Sequence, residues 1–209
     1  MLGKSLKLTC YTASAIEHNA TVQERKSENY KELIKKELTH PDFGIYDPVE
    51  REQQKTGQNC QLANKYIKNL KRSGHWIEFD SAMDSIWWGD INPGYTKIEV
   101  MKAIRIDFLR YGNTIDDLNH FGDYQAVLRS NFIIAYLEKN VKTVGTIKEI
   151  HTAYLFNIPI YLLLPDDTIS ESNSTLVNMV RESKGEIFTG NNCTKDLIKY
   201  LKEKYKLWG

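Results

Sequence analysis

Two hydrophobic periods alternate along this chain, and their order outlines a fold. Residues 5–11 alternate, with Leu6, Leu8 and Cys10 on one side, as a half-buried strand does. Tyr30, Leu33, Ile34 and Leu38 then recur at helical spacing over roughly residues 22–38, with Thr21 or a neighbour available as the cap. His40-Pro41-Asp42 stops that helix, and Phe43–Tyr46 reads as a short second strand ending at Asp47-Pro48. A β-α-β beginning favours a parallel sheet.

The middle is harder to place. Residues 58–71 put Leu62, Tyr66, Ile67 and Leu70 on one helical side, and Gly74 breaks the pattern. Residues 81–90 hold Met83, Ile86, Trp87 and Trp88 before Pro93-Gly94 punctuates the chain. Residues 95–111 form a helical candidate through Ile98, Val100, Met101, Ile104, Phe108 and Leu109. The second half is clearer. It reads as a short helix (123–130), a buried strand (131–137), a helix (146–156), a strand (158–164), a helix (172–183), an edge strand (186–189) and a final helix (194–205). The strands are continuous apolar runs because helices would cover both of their faces. The expected fold is α/β: a doubly wound, Rossmann- or flavodoxin-like open sheet of about five mainly parallel strands. It would form one domain over residues 1–209, with residues 58–115 an elaborated helical insertion. Residues 131–137 and 158–164 should be parallel neighbours, with 146–156 as their right-handed crossover.

Composition narrows what such a fold could do. The 209 residues are 41% hydrophobic and 26% charged, with a net charge of +1. That balance offers no field to gather a nucleic-acid polymer or an anionic membrane, so any phosphate recognition would be local. No apolar run approaches the roughly 18–20 residues that span a bilayer, and the first residues lack the apolar segment of a secretory signal. Cys10, Cys60 and Cys193 are odd in number and far apart, as reduced cytoplasmic thiols would be. The five histidines show no paired ligand spacing, so no metal site is expected. The glycine patterns of P-loop ATPases and dinucleotide enzymes are absent, and no cofactor is expected.

In an open parallel sheet, ligands bind beyond the carboxyl ends of the strands. Residues 11–17, 47–52 and 138–149 would converge there. Gly145 would let backbone approach a ligand, and the helix start after it would attract anionic oxygen. Glu149 admits two readings. Thr146-Ile147-Lys148-Glu149 fits a capping box, in which Thr146 caps the helix and Glu149 reaches back to it. Alternatively, Glu149 is a nucleophile. From the residues alone, Asp123 reads as a helix cap and Tyr11 as a half-buried strand aromatic.

A resemblance bears on these alternatives. Asp123 with "VLRSNFIIAYL", followed by "GTIKEIHTAYLFNIPIYLL", resembles the nucleoside 2-deoxyribosyltransferase family and its nucleotide N-glycohydrolase relatives. The shared form is an acid, a short helix, a turn into a buried strand, Gly-Thr/Ser-x-x-Glu, and a helix with a small residue before the next strand. Here Ser130-Asn131 takes the turn and Ala153 the small position. The start, "LTCYTASAI", is similar to the family's first loop, and "YDPVEREQQKTG" to its second-strand loop. The family usually carries an aspartate just before Gly-Thr, where this chain has Thr143-Val144, and its middle connection is shorter.

The resemblance implies that Glu149 is the nucleophile, Asp123 the acid that handles the base and Tyr11 the group that orients Glu149. Ser14, Asp47, Arg51, Gly145 and Thr146 would contact substrate. It implies transfer of a deoxyribosyl group from a nucleoside or nucleotide to a free nucleobase. The alternatives are hydrolysis of a deoxynucleoside monophosphate and nucleotide sensing without turnover. It also implies a homo-oligomer, for which Trp87-Trp88 and Leu207-Trp208-Gly209 are candidate contact surfaces.

Overall fold

The computed structural model describes residues 4–14, 26–51, 60–94, 96–139, 144–166 and 169–208. Its main sheet contains β2 (Leu8–Ser14), β3 (Phe43–Tyr46), β5 (Phe132–Tyr136), β6 (Ile160–Leu164) and β7 (Glu186–Thr189). Their spatial order is β3-β2-β5-β6-β7, and every pairing is parallel. This is a doubly wound order in which the first long strand becomes the central neighbour of both the second and the third. β5 and β6 pair in parallel as expected, with Ile133 opposite Ile160.

Alternation along the strands builds two cores. Tyr11, Ala13, Ile133, Ala135, Ile160 and Leu162 face one side. There they meet Ala126 and Val127 of α5 (Asp123–Leu128), Ile150 and Ala153 of α6 (Val144–Leu155), and Leu176 and Val180 of α7 (Ser174–Glu182). Leu8, Cys10, Phe132, Ile134 and Leu163 face the other. They meet Tyr30, Ile34 and Leu38 in and just beyond α1 (Lys26–Glu37), and Leu197 and Leu201 of α8 (Cys193–Tyr205). Burial on both faces explains why these strands read as unbroken apolar runs.

Two of the boundary shifts bear on the site. The predicted first strand breaks at Lys7. Its start, β1 (Ser5–Leu6), pairs antiparallel with β4 (Asn113–Thr114) outside the main sheet. The amides of Lys7 and Leu8 both turn to the Asp42 carbonyl, at 2.9 and 3.2 Å, while the Asp42 carboxylate holds Lys4 and Lys7. Beyond that bend β2 runs on to Ser14, all seven residues buried. The second shift is at α6, which begins at Val144 and not at Thr146.

Among the described residues the insertion gives no strand to the main sheet. Its helices α2 (Cys60–Arg72), α3 (Trp76–Trp88) and α4 (Lys97–Tyr111) precede α5. Trp88, Met101 and Ile104 form a third core with Leu128. One tryptophan of the pair and the chain end make intramolecular contacts. Trp88 is buried, and Trp208 packs edge-on against Phe43 and donates its indole N–H to the Leu38 carbonyl at 2.8 Å. Trp87, Leu207 and Trp208 remain half-buried, and Gly209 lies outside the described residues. Among the described residues no helix is long and apolar enough to cross a membrane.

Candidate active site

The topological switch lies between β2 and β5, because the chain leaves β2 toward β3 on one side and returns to β5 on the other. A crevice at the carboxyl ends of these strands is the place such sheets bind ligands. Tyr11 stands in β2 opposite Tyr46, the last residue of β3, and opposite Ile133 of β5. Its ring points to the face covered by α5 and α6.

Glu149 is the sixth residue of α6 and is 5% exposed. The Tyr11 hydroxyl donates to its Oε1 at 2.7 Å. Among the described residues Oε2 has no hydrogen-bond partner. A capping box would place this carboxylate in the first turn, bonded to backbone amides. Thr146 instead lies inside the helix, and Glu149 points inward to a phenol. The capping reading is overturned by where the helix begins.

Burial is the largest influence on Glu149 and pushes its pKa well above the ordinary 4.5; the negative charge of Asp123 pushes the same way. The Tyr11 hydrogen bond and the cations Lys31 and Lys148 oppose them. Tyr11 is also raised well above its usual value, first by burial and then by the charges of Asp123 and Glu149. Asp123 opens α5 and is 7% exposed, on the same sheet face as Glu149. Tyr11, Asp123 and Glu149 thus share one electrostatic neighbourhood, although they are far apart in the chain.

The remaining predicted residues are placed more variously. Asp47 is buried and accepts Lys31 Nζ at 2.7 Å and Lys35 Nζ at 2.9 Å. Burial alone would raise its pKa, but the two ammonium groups hold it below its ordinary value. Its carboxylate is thereby occupied as an anchor between β3 and α1. Arg51 is 9% exposed, and its Nε has no partner among the described residues. Ser14 ends β2 and is buried, and the Tyr30 hydroxyl donates to the carbonyl of the preceding residue, Ala13, at 3.1 Å. Thr146 is buried. Gly145 is exposed, and among the described residues a Cβ there would meet nothing within 4 Å. Among the described residues no cluster of His, Cys, Asp and Glu could hold a metal ion.

Three residues were not singled out from the sequence. Tyr46 stacks on Tyr11, with ring centroids 5.5 Å apart, and donates its hydroxyl to the Phe121 carbonyl at 2.8 Å. An aromatic ending the strand beside Tyr11 was the available signal. Lys31 is 4% exposed and follows Tyr30 on the apolar row that continues through Ile34 and Leu38. A lysine at that spacing marks a buried counter-charge. Lys148 lies 3.9 Å above the Trp87 ring centroid and 5.0 Å from that of Tyr124, which sequence spacing could not disclose.

The chain matches no known family model and no curated protein. It is similar in structure to a conserved protein from Enterococcus faecalis V583, with a TM-score of 0.49 and 14% identity over 94% of this chain and 98% of that one.

Proposed function

We propose that this protein cleaves the N-glycosidic bond of a deoxynucleoside or deoxynucleotide through Glu149, passing the sugar to another nucleobase or to water. The observation that carries the reading is the buried carboxylate held at one oxygen by Tyr11, with the other oxygen unengaged. Such an arrangement suits a nucleophile. Tyr11 fixes Oε1, and Oε2 attacks the anomeric carbon as the carbon–nitrogen bond breaks. The bonding pair leaves with the base, and Asp123 supplies the proton or hydrogen bond that makes departure easier. An acceptor base, or water, then releases the sugar from Glu149 in a second displacement.

The Tyr11–Glu149 pairing also agrees with the sequence resemblance to nucleoside 2-deoxyribosyltransferases, where a tyrosine orients the nucleophile. A specific observation favours hydrolysis of a monophosphate as the second reading. Arg51 is buried with its Nε unpartnered among the described residues, a donor suited to phosphate oxygen. Ser14 and Thr146 would add hydroxyls, Gly145 would lie beside the sugar, and Asp47 would hold Lys31 toward the crevice.

Incubation with thymidine and adenine, followed by chromatography, tests the proposal. New deoxyadenosine identifies a transferase, whereas thymine without it, or base released only from a monophosphate, identifies a hydrolase. Binding with no product in any arm rejects catalysis and leaves a nucleotide sensor.

A further inference from the structure

Asp123 can assist a leaving base only if the backbone before it is held in place, and that backbone is gripped from two sides. From the sheet side, the Tyr46 hydroxyl donates to the Phe121 carbonyl at 2.8 Å, two residues ahead of Asp123. Tyr46 is 4% exposed and stacks on Tyr11, so one ring touches the group that orients Glu149 and also tethers the segment that carries Asp123. From the insertion side, the end of α3 meets the same segment backbone to backbone. A Cβ on Gly122 would lie 2.3 Å from the Gly89 amide nitrogen and 2.6 Å from the Trp88 carbonyl carbon. Two residues past Asp123, the Gln125 side-chain Nε2 donates to the Trp88 carbonyl at 2.6 Å.

We infer that Tyr46 is a positioning residue for Asp123, its hydroxyl and the α3 carboxyl end together fixing the turn from which that carboxyl group meets the departing base. This rests on the proposed glycosidic reaction. The chemistry separates the two roles of the site. Forming the Glu149 oxygen–carbon bond depends on Tyr11, whereas breaking the carbon–nitrogen bond depends on Asp123 in proportion to how poorly the base leaves. A base with an acidic N–H departs well as its anion, and a base with a weakly acidic N–H needs the proton. Loss of acid assistance therefore appears as a steeper dependence of rate on leaving-base acidity.

The test is a set of deoxynucleosides, or their 5′-monophosphates if the parental enzyme prefers them, whose bases span a range of N–H acidity. Tyr46→Phe, Asp123→Asn and the parent are compared by kcat and KM. Tyr46→Phe keeps the ring that stacks on Tyr11 and removes the hydroxyl that tethers Phe121. Asp123→Asn should lose on the order of 10²-fold in kcat on the poorest leaving base and little on the best. Tyr46→Phe should follow the same slope with a smaller loss, about tenfold on the poorest base, and an unchanged KM. A Tyr46→Phe rate equal to the parent, or a uniform fall across all bases, overturns the positioning role while Asp123 keeps its own. If Asp123→Asn shows no slope, the proposed acid is wrong and the inference falls with it. No cleavage by the parent rejects the proposed function itself.

Discussion

At the scale of single residues, the charge on Glu149 makes opposite demands on stability and on chemistry. Its folded pKa is raised, so between the ordinary 4.5 and the raised value the folded protein holds more protons than the unfolded chain. Stability from this group is then fully present at acid pH and declines as pH climbs through that window. Glu149→Gln removes the titration and keeps an oxygen to accept from Tyr11. The variant should melt higher than the parent at pH 7–8, with the difference closing toward pH 4.5, and turnover should fall on the order of 10⁴-fold. Parental turnover in a folded variant would end the nucleophile proposal. Tyr11→Phe deletes a hydrogen bond that lowers the Glu149 pKa. The acidic limb of kcat/KM should therefore move to higher pH, with about a tenfold to hundredfold loss at the optimum; a limb that stays put would show that the 2.7 Å contact does not tune the carboxylate. Glu149 and Tyr11 were singled out through the motif resemblance, since spacing alone favoured a cap for Glu149. Tyr46 and Lys31 were not, because their partners are a backbone carbonyl and an aspartate on elements that sequence spacing does not bring together.

At the scale of elements, the strands and the crossover helices of the second half could be read almost residue by residue, since burial on both faces leaves a strong apolar signal. The start of α6 could not. Thr146 and Glu149 have cap chemistry at cap spacing, and only tertiary burial decides that the helix starts earlier and turns Glu149 inward. In the insertion, residues 58–71 and 95–111 read as helices, and Cys60–Arg72 and Lys97–Tyr111 are helices. But α3 begins earlier than expected, at Trp76, and the packing could not be read, because Trp88, Met101 and Ile104 cluster with Leu128 and not with the sheet. One junction between elements allows a sharp prediction. A Cβ on Gly185, just before β7, would fall 1.8 Å from the Ile160 carbonyl oxygen and 2.8 Å from the Ile160 nitrogen. β7 pairs with β6 immediately afterwards, with Glu186 opposite Tyr161. Gly185→Ala should cost at least about 3 kcal/mol, because backbone must move and the β6–β7 ladder with it. Denaturant unfolding measures this directly, and a loss below about 1 kcal/mol would mean that the edge strand is free to shift.

At the scale of the whole molecule, the insertion leaves apolar surface uncovered. Tyr66 on α2 and Trp76 and Ile77 on α3 are 55%, 56% and 85% exposed, whereas the main sheet hides its own apolar residues. Exposed apolar residues of this size mark surfaces that associate. Light scattering should give a mass above the 24.2 kDa of one chain, and Ile77→Glu should lower it; a parental mass of one chain would remove the oligomer from the proposal.

The strand order carries a consequence for how the protein is made. β2 is an interior strand of the sheet, yet its partner β5 is paired through residues more than a hundred positions later in the chain. On the ribosome, β3 can join β2 early, while the opposite edge of β2, seven residues with every side chain destined for the interior, waits for β5 to emerge. For most of synthesis the nascent polypeptide therefore displays an unpaired apolar edge, the kind of surface that recruits chaperones or finds a wrong strand. Ribosome-arrested chains of increasing length should leave residues 8–14 open to protease until residue 136 has cleared the exit tunnel, and protect them afterwards. Protection at shorter lengths would mean that the β2–β3 pair and α1 already shield that edge on their own.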